Sequence, residues 1–275
     1  MRLPGNTKGL LTSLCMTTVL SCAATVPKVT PGLEVAVMPA QDEHPLSVLS
    51  GDSAGMASAA ERLCTHLTTR SQKQQGLALA RRALAASPSD TRTGLAVARC
   101  AYFCADWEAT REGREHVASI GIEGAKVAGS ASHEPHAAYL HALLLGIIMR
   151  DMGLDALGRL SELTDLLKDA SALPDEDLGG PQRVFGRLYF EAPPWPLGIG
   201  DVDEALDQLK SVCERHPSHP MNHIFYAEVL LHEKRHADAL REIALVRRYA
   251  LPELWGDYAQ RWREEADQLS ARLPE

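Results

Sequence analysis

His232-Glu233-Lys234-Arg235-His236 fits the HExxH pattern of zinc peptidases. There, two histidines on one face of a helix hold the metal and the glutamate activates its bound water. That chemistry needs an unbroken helix. The repeat alignment developed below puts Lys234-Arg235 at the turn between paired helices, so the segment reads as a solvated turn and not as a metal centre. His216, His219 and His223 flank Pro217 and Pro220, and His133, His136 and His141 flank Pro135. Either set could ligate a transition metal, but no Cys or carboxylate at ligand spacing accompanies them, and both read as adventitious ligands. Cys100 and Cys104 stand one helical turn apart, a spacing at which a strain-free disulfide is difficult. With no CxxC in the chain, they read as small buried hydrophobes. There is no GxxxxGK[ST] and no GxGxxG following a strand. The residues therefore point to no enzyme, no metal and no cofactor.

The elements that carry these residues are helical. Apolar residues make up 45% of the 275-residue chain, but aromatics only 5%. Ala and Leu supply most of the apolar surface, and with Glu and Arg they favour helix because they lose little rotamer freedom there. No alternating run of Val, Ile or Tyr marks a buried strand. The formal charge of -8 repels phosphate backbones and excludes nucleic acid as a partner. Anionic lipid is repelled as well, so membrane attachment needs more than a basic patch.

The first residues supply such a device. Arg2 and Lys8 precede a short apolar stretch, Leu10 to Leu20, too short to span a bilayer and matching a secretory signal. Val19-Leu20-Ser21-Cys22 resembles the bacterial lipobox, in which the cysteine is acylated and becomes N-terminal. The other reading is a plain signal peptide with an incidental cysteine. Ala23 after the cysteine, by lipobox convention, points to the outer membrane. Residues 1–21 are then a lipoprotein signal peptide, Cys22 the lipidation site and 22–58 a tether and lead-in rich in Pro and Gly. Residues 59–275 form the body.

That body reads as helix pairs like the tetratricopeptide unit of about 34 residues. Ala60, Leu63, Cys64 and Leu67 make one apolar face, followed by Gly76, Ala80, Ala83 and a closing Pro88. Ala205, Leu209 and Val212 are closed by Pro217; Tyr226, Ala227 and Leu230 precede Ala239, Ile243 and Val246. These are the i, i+3, i+4, i+7 stripes of helices buried on one side. Between them, Ala96–Asp106 pairs with Ala109–Gly121, a helix opens at Pro135, and Asp155–Ala170 returns against it. A closing helix, Trp255–Leu273, caps the array. The expected fold is all-α: an irregular, tetratricopeptide-like helix-pair solenoid.

One segment breaks the pattern. A short helix opening at Pro181 must stop before Pro193-Pro194-Trp195-Pro196, because those prolines cannot continue it. The resulting loop either carries function or wedges two repeats together. Gly179-Gly180-Pro181, Arg183, Gly186, Leu188-Tyr189, Ala192-Pro193, Pro196, Gly200-Asp201 and Ala205, followed by Pro220, Asn222-His223 and Ala227-Glu228, resemble the T component associated with TRAP transporters, the TatT family. The resemblance covers about His133 to Tyr249. It implies a helical, lipid-anchored, periplasm-facing protein that partners the solute-binding protein of a TRAP system, assembles as a homo-oligomer and assists uptake of a small organic ligand. No ligand residues follow from it. The signature loop and turn (Gly179, Gly180, Pro181, Arg183, Gly186, Tyr189, Pro193, Trp195, Pro196, Gly200, Asp201 and Asn222) are structural or partner-binding. The alternative is a general scaffold for protein–protein interaction in cell-envelope assembly.

Overall fold

The computed structural model describes residues 52–130 and 134–274. Cys22, the signal segment and most of the tether lie outside the described residues. Within them the chain is all-helical, and helices pack mainly on their sequence neighbours, as in a helical-repeat solenoid. The elements are α1 (Ser53–Leu63), α2 (Arg70–Ala86), α3 (Thr91–Ala105), α4 (Arg111–Ser130), α5 (Pro135–Met149) and, after a 3-10 turn at Gly153–Arg159, α6 (Leu160–Ala170). They continue as α7 (Gly180–Glu191), α8 (Val202–Arg215), α9 (Pro220–His232), α10 (His236–Tyr249), α11 (Pro252–Trp255) and α12 (Asp257–Ser270). None of these helices is long and apolar enough to cross a membrane.

Local chemistry sets the starts of these helices. Thr69 and Gln72 form a reciprocal capping box at α2, satisfying two backbone donors that the helix itself cannot. Asp90 accepts from Arg92 N at 2.7 Å and Asp201 from Glu204 N at 3.0 Å, each capping its helix. Pro135 and Pro220 open α5 and α9, where a missing N–H costs nothing. Packing is close because alanines occupy the contacts. Ala57, Ala60, Ala80, Ala83, Ala96 and Ala101 are fully buried.

Several expectations need correction. Helix α1 begins at Ser53, ahead of residue 59, and stops at Leu63, so Leu67 leaves the apolar face and is exposed. The closing helix is two pieces: Gly256, at φ 55°, ends α11 and turns the chain into α12, a left-handed conformation suited to glycine. Cys100 is not a free hydrophobe. It forms a disulfide with Cys64, their Cα atoms 5.1 Å apart, while Cys104 and Cys213 are free and buried. A partner 36 residues away lies on another helix, beyond what spacing along one helix can show.

The array also closes on itself. Arg261 of α12 donates from Nη1 to Asp106 Oδ2, at the end of α3, at 2.8 Å. Gly256 packs against the His66 carbonyl between α1 and α2. One apolar core accordingly runs from Met56 and Ala60 through Leu209 and Leu230 to Trp262 and Leu269.

The disulfide closes a loop long enough that constraining the unfolded chain is worth about 4 kcal/mol in the chain-entropy model. Cys100→Ser, or reduction of the native chain, is expected to lower unfolding free energy by about 2–4 kcal/mol, read as a fall in the urea midpoint. An unchanged midpoint in the presence of reductant would contradict the pairing.

Candidate functional site: a charged cavity and an exposed loop

A cavity of about 90 Å³ is lined by side chains of α3, α5, α7, α9 and α12, and a second of about 300 Å³ shares His66, Tyr102, Leu143 and Asp177 with it. Together they have room for several waters or a small organic molecule. Aromatic and aliphatic side chains make up much of the wall, and Arg150, Arg183, Arg187 and Arg261 also line the first cavity, against the carboxylates of Asp106 and Asp177.

The Asp177–Arg183 pair anchors this site. The backbone is left-handed at Asp177 (φ 49°), Leu178 (φ 51°) and Gly179 (φ 85°), unfavourable for the first two residues by roughly 1–3 kcal/mol each. The turn carries the Asp177 carboxylate to the Arg183 guanidinium, with which it forms a short ion pair. Tyr139 donates to Asp177 Oδ2 at 2.9 Å. Arg183 Nη1 also donates to Asn222 Oδ1 at 2.9 Å, and Asn222 Nδ2 donates to the carbonyls of Leu178 and His216 at 3.3 and 3.1 Å. Burial pushes the Asp177 carboxyl up, but Arg183, followed by His219, outweighs that and holds it well below the usual carboxylate range. Burial first and Arg183 second lower His219 to about 4, so it is neutral at physiological pH. Its Nδ1 accepts from Met221 N at 3.2 Å, which leaves the ring proton on Nε2, 3.8 Å from Asp177 Oδ1.

Around this node the walls are aromatic. His66 makes edge contacts with Phe103, Trp255 and Tyr258, each with ring centroids 5.1 Å apart. Arg187, four residues after Arg183 on α7, pairs with Glu191 and Glu228 and lies 4.9 Å over the Phe225 ring. Glu265 Oε1 stands 3.6 Å from Arg261 Nε. Burial raises Glu265 to about 7, despite the opposing pull of Arg261.

The second feature is the loop after α7. Gly200 N donates to Pro193 O and Asp201 N to Tyr189 O, each at 2.9 Å, and Leu197 N donates to Pro194 O at 3.1 Å. These bonds fix the loop's base. Its tip is Pro194-Trp195-Pro196-Leu197, all exposed, with Trp195 at 86% and Leu197 at 73%; the Trp195-Pro196 peptide is cis.

The signature residues thus separate. Gly179 takes the left-handed N-cap of α7, Gly180 and Pro181 form its first turn, and Gly186 lies against Leu209. Tyr189, Pro193, Gly200 and Asp201 brace the loop or cap α8. Arg183 and Asn222 join the buried node, while Trp195 and Pro196 reach solvent. Sequence reasoning missed Asp177, His66, Arg187 and Arg261. The legible signal was Arg183 and Arg187, four apart on a helix face shared with Val184 and Leu188. The HExxH segment is split between α9 and α10, with Lys234 left-handed at φ 58°. The histidine sets do not converge either. His216 faces Asp175 at 3.0 Å, His136 faces Glu134 at 2.7 Å and His141 faces Glu162 at 3.6 Å, while His133 lies outside the described residues. No protein-family model matches the chain, and no curated protein matches it.

Two substitutions test the site. Asp177→Asn leaves the Arg183 charge buried without its counterion and is expected to cost about 3–5 kcal/mol, read by chemical denaturation. Glu265 is raised above its ordinary 4.5, so its contribution is complete below about pH 4.5 and is lost as pH rises through 7. Glu265→Gln is therefore expected to stabilise the chain by about 1–3 kcal/mol near pH 8, with the gain vanishing near pH 4; melting temperatures across that range check it.

Proposed function

We propose that this chain is a lipid-anchored, periplasm-facing adaptor of the bacterial outer membrane that docks a solute-binding protein and assists uptake of a small organic ligand. The observation that carries the docking step is the Pro194–Leu197 tip. Free-standing large apolar side chains on a braced loop are costly to keep in water and characteristic of interaction sites. Tryptophan is prominent among residues that dominate binding energy. A loop held by its own backbone bonds also loses little conformational entropy on association.

The ligand step draws on the cavity. Apolar walls interspersed with guanidinium groups suit a small molecule with an apolar body and an acidic group. The Cys64–Cys100 disulfide fits a chain that matures in an oxidising compartment, and the lipobox at Cys22 supplies the anchor. Assignment of the partner to a TRAP-type system rests on the TatT-like signature from Gly179 to Glu228. On this reading the chain has no catalytic role, and homo-oligomers present several docking loops at once.

The test is affinity capture from envelope extract with wild-type chain and with a Trp195→Ala/Leu197→Ser variant, both checked for unchanged melting. The wild type is expected to retain a solute-binding protein stoichiometrically. The variant should bind it about thirtyfold more weakly, as loss of one aromatic hot spot of at least 2 kcal/mol predicts. Equal capture by both would remove the loop from the interface. Recovery of envelope-assembly factors alone would favour the scaffold role.

A further inference from the structure

Away from the cavity, three successive helices bring a thiol, an imidazole and a carboxylate together. Cys213 of α8, His223 of α9 and Glu242 of α10 place their ligand atoms within 4.8 Å of one another. Cys213 and His223 are buried, and Glu242 is partly exposed, which leaves one side of the group towards solvent. We propose that these three side chains form a binding site for a divalent transition cation of the zinc class, one that pins α8, α9 and α10 together.

The hydrogen bonds of His223 are the strongest argument. Its Nε2 lies 2.7 Å from the Pro217 carbonyl, which can only accept, so Nε2 carries a proton. Its Nδ1 then faces Glu242 Oε2 across 2.6 Å. A lone pair and a carboxylate oxygen cannot sit at that distance with nothing between them. A proton fills the gap in the ion-free chain, and a cation takes its place on loading. Donation of the remote ring nitrogen to a backbone carbonyl is also the usual outer-shell arrangement of a metal-bound histidine, because it fixes the tautomer and aims the other nitrogen. The Tyr249 ring stacks on the imidazole, centroids 6.1 Å apart, and restrains it further.

Ligand chemistry and charge agree with this assignment. Thiolate and imidazole favour zinc-like ions over magnesium or calcium. Zinc bonds of about 2.0–2.3 Å at tetrahedral angles set the donors about 3.3–3.7 Å apart, so the Glu242 carboxylate swings back from His223 Nδ1 while the other donors, all within 4.8 Å of one another, adjust by small side-chain movements. One thiolate and one carboxylate neutralise a divalent ion, so the loaded site adds no net charge to the interior. Three protein ligands leave a fourth position for water on the Glu242 side.

The test uses the purified full-length chain, treated with chelator without reductant so that the Cys64–Cys100 disulfide is kept, and then titrated with Co²⁺. One equivalent is expected to bind with a thiolate-to-cobalt charge-transfer band and the strong visible absorption of a tetrahedral site. Cys213→Ala should abolish the band, Glu242→Gln should weaken binding at least tenfold, and Cys104→Ala, at the other free thiol among the described residues, should change neither. No band in the wild type, or a band that survives Cys213→Ala, would overturn the site. Should Cys213→Ala lose helix content, X-ray absorption on the zinc-loaded wild type decides. One sulfur in the first shell supports the assignment, and a shell without sulfur refutes it.

Discussion

A guanidinium group cannot shed its proton to escape burial, so burying Arg183 obliges the chain to bury an acid beside it. Much of the centre follows from that requirement. Asp177 meets it only because three consecutive left-handed residues turn the chain back at the entry to α7. Asn222 then fixes both the arginine and the turn, through Arg183 and the Leu178 carbonyl, and so locks α9 to α7. Tyr139 brings α5 to the same carboxylate. His219 and His66 complete the surround as uncharged rings, because burial lowers both. Tyrosine, arginine, aspartate and asparagine are thus satisfied largely by one another, in a volume where leaving any one unpaired would be costly.

The repeat architecture was readable in the amino-acid sequence because it rests on local rules. Stripes of Ala and Leu at helical spacing and the prolines that open α5 and α7 all act within one or two turns. The proline-rich break after Ala192 was readable for the same reason. What was hidden depends on distance through space. Cys64 meets Cys100, and Asp106 meets Arg261, only after several helices have stacked. The histidine-rich stretch around Pro217 looked like one cluster, yet each of its members turns to a different acid, Asp175, Asp177 or Glu242, brought in by other elements. Leu67 fits an apolar stripe, but its helix has already ended at Leu63.

The twelve residues of α7 connect the two features that bear on function. Its inner face supplies Arg183 and Arg187 to the cavity, and its last turn runs into the loop that exposes Trp195. At 1.5 Å per residue the helix is about 18 Å long, a single rigid rod between the two. On the proposed reading, a partner gripping the loop holds one end of the element that lines the ligand space.

The seam between α12 and the end of α3 spans far more chain than the contacts within helix pairs. Most helices pack on their sequence neighbours, so those pairs assemble from nearby chain. The Asp106–Arg261 clasp joins residues 155 positions apart and so carries more loop-closure entropy than contacts within a pair. By the same token, it can part without dismantling any helix pair. Together with Gly256 against His66, the clasp joins the last helices of the array to the first.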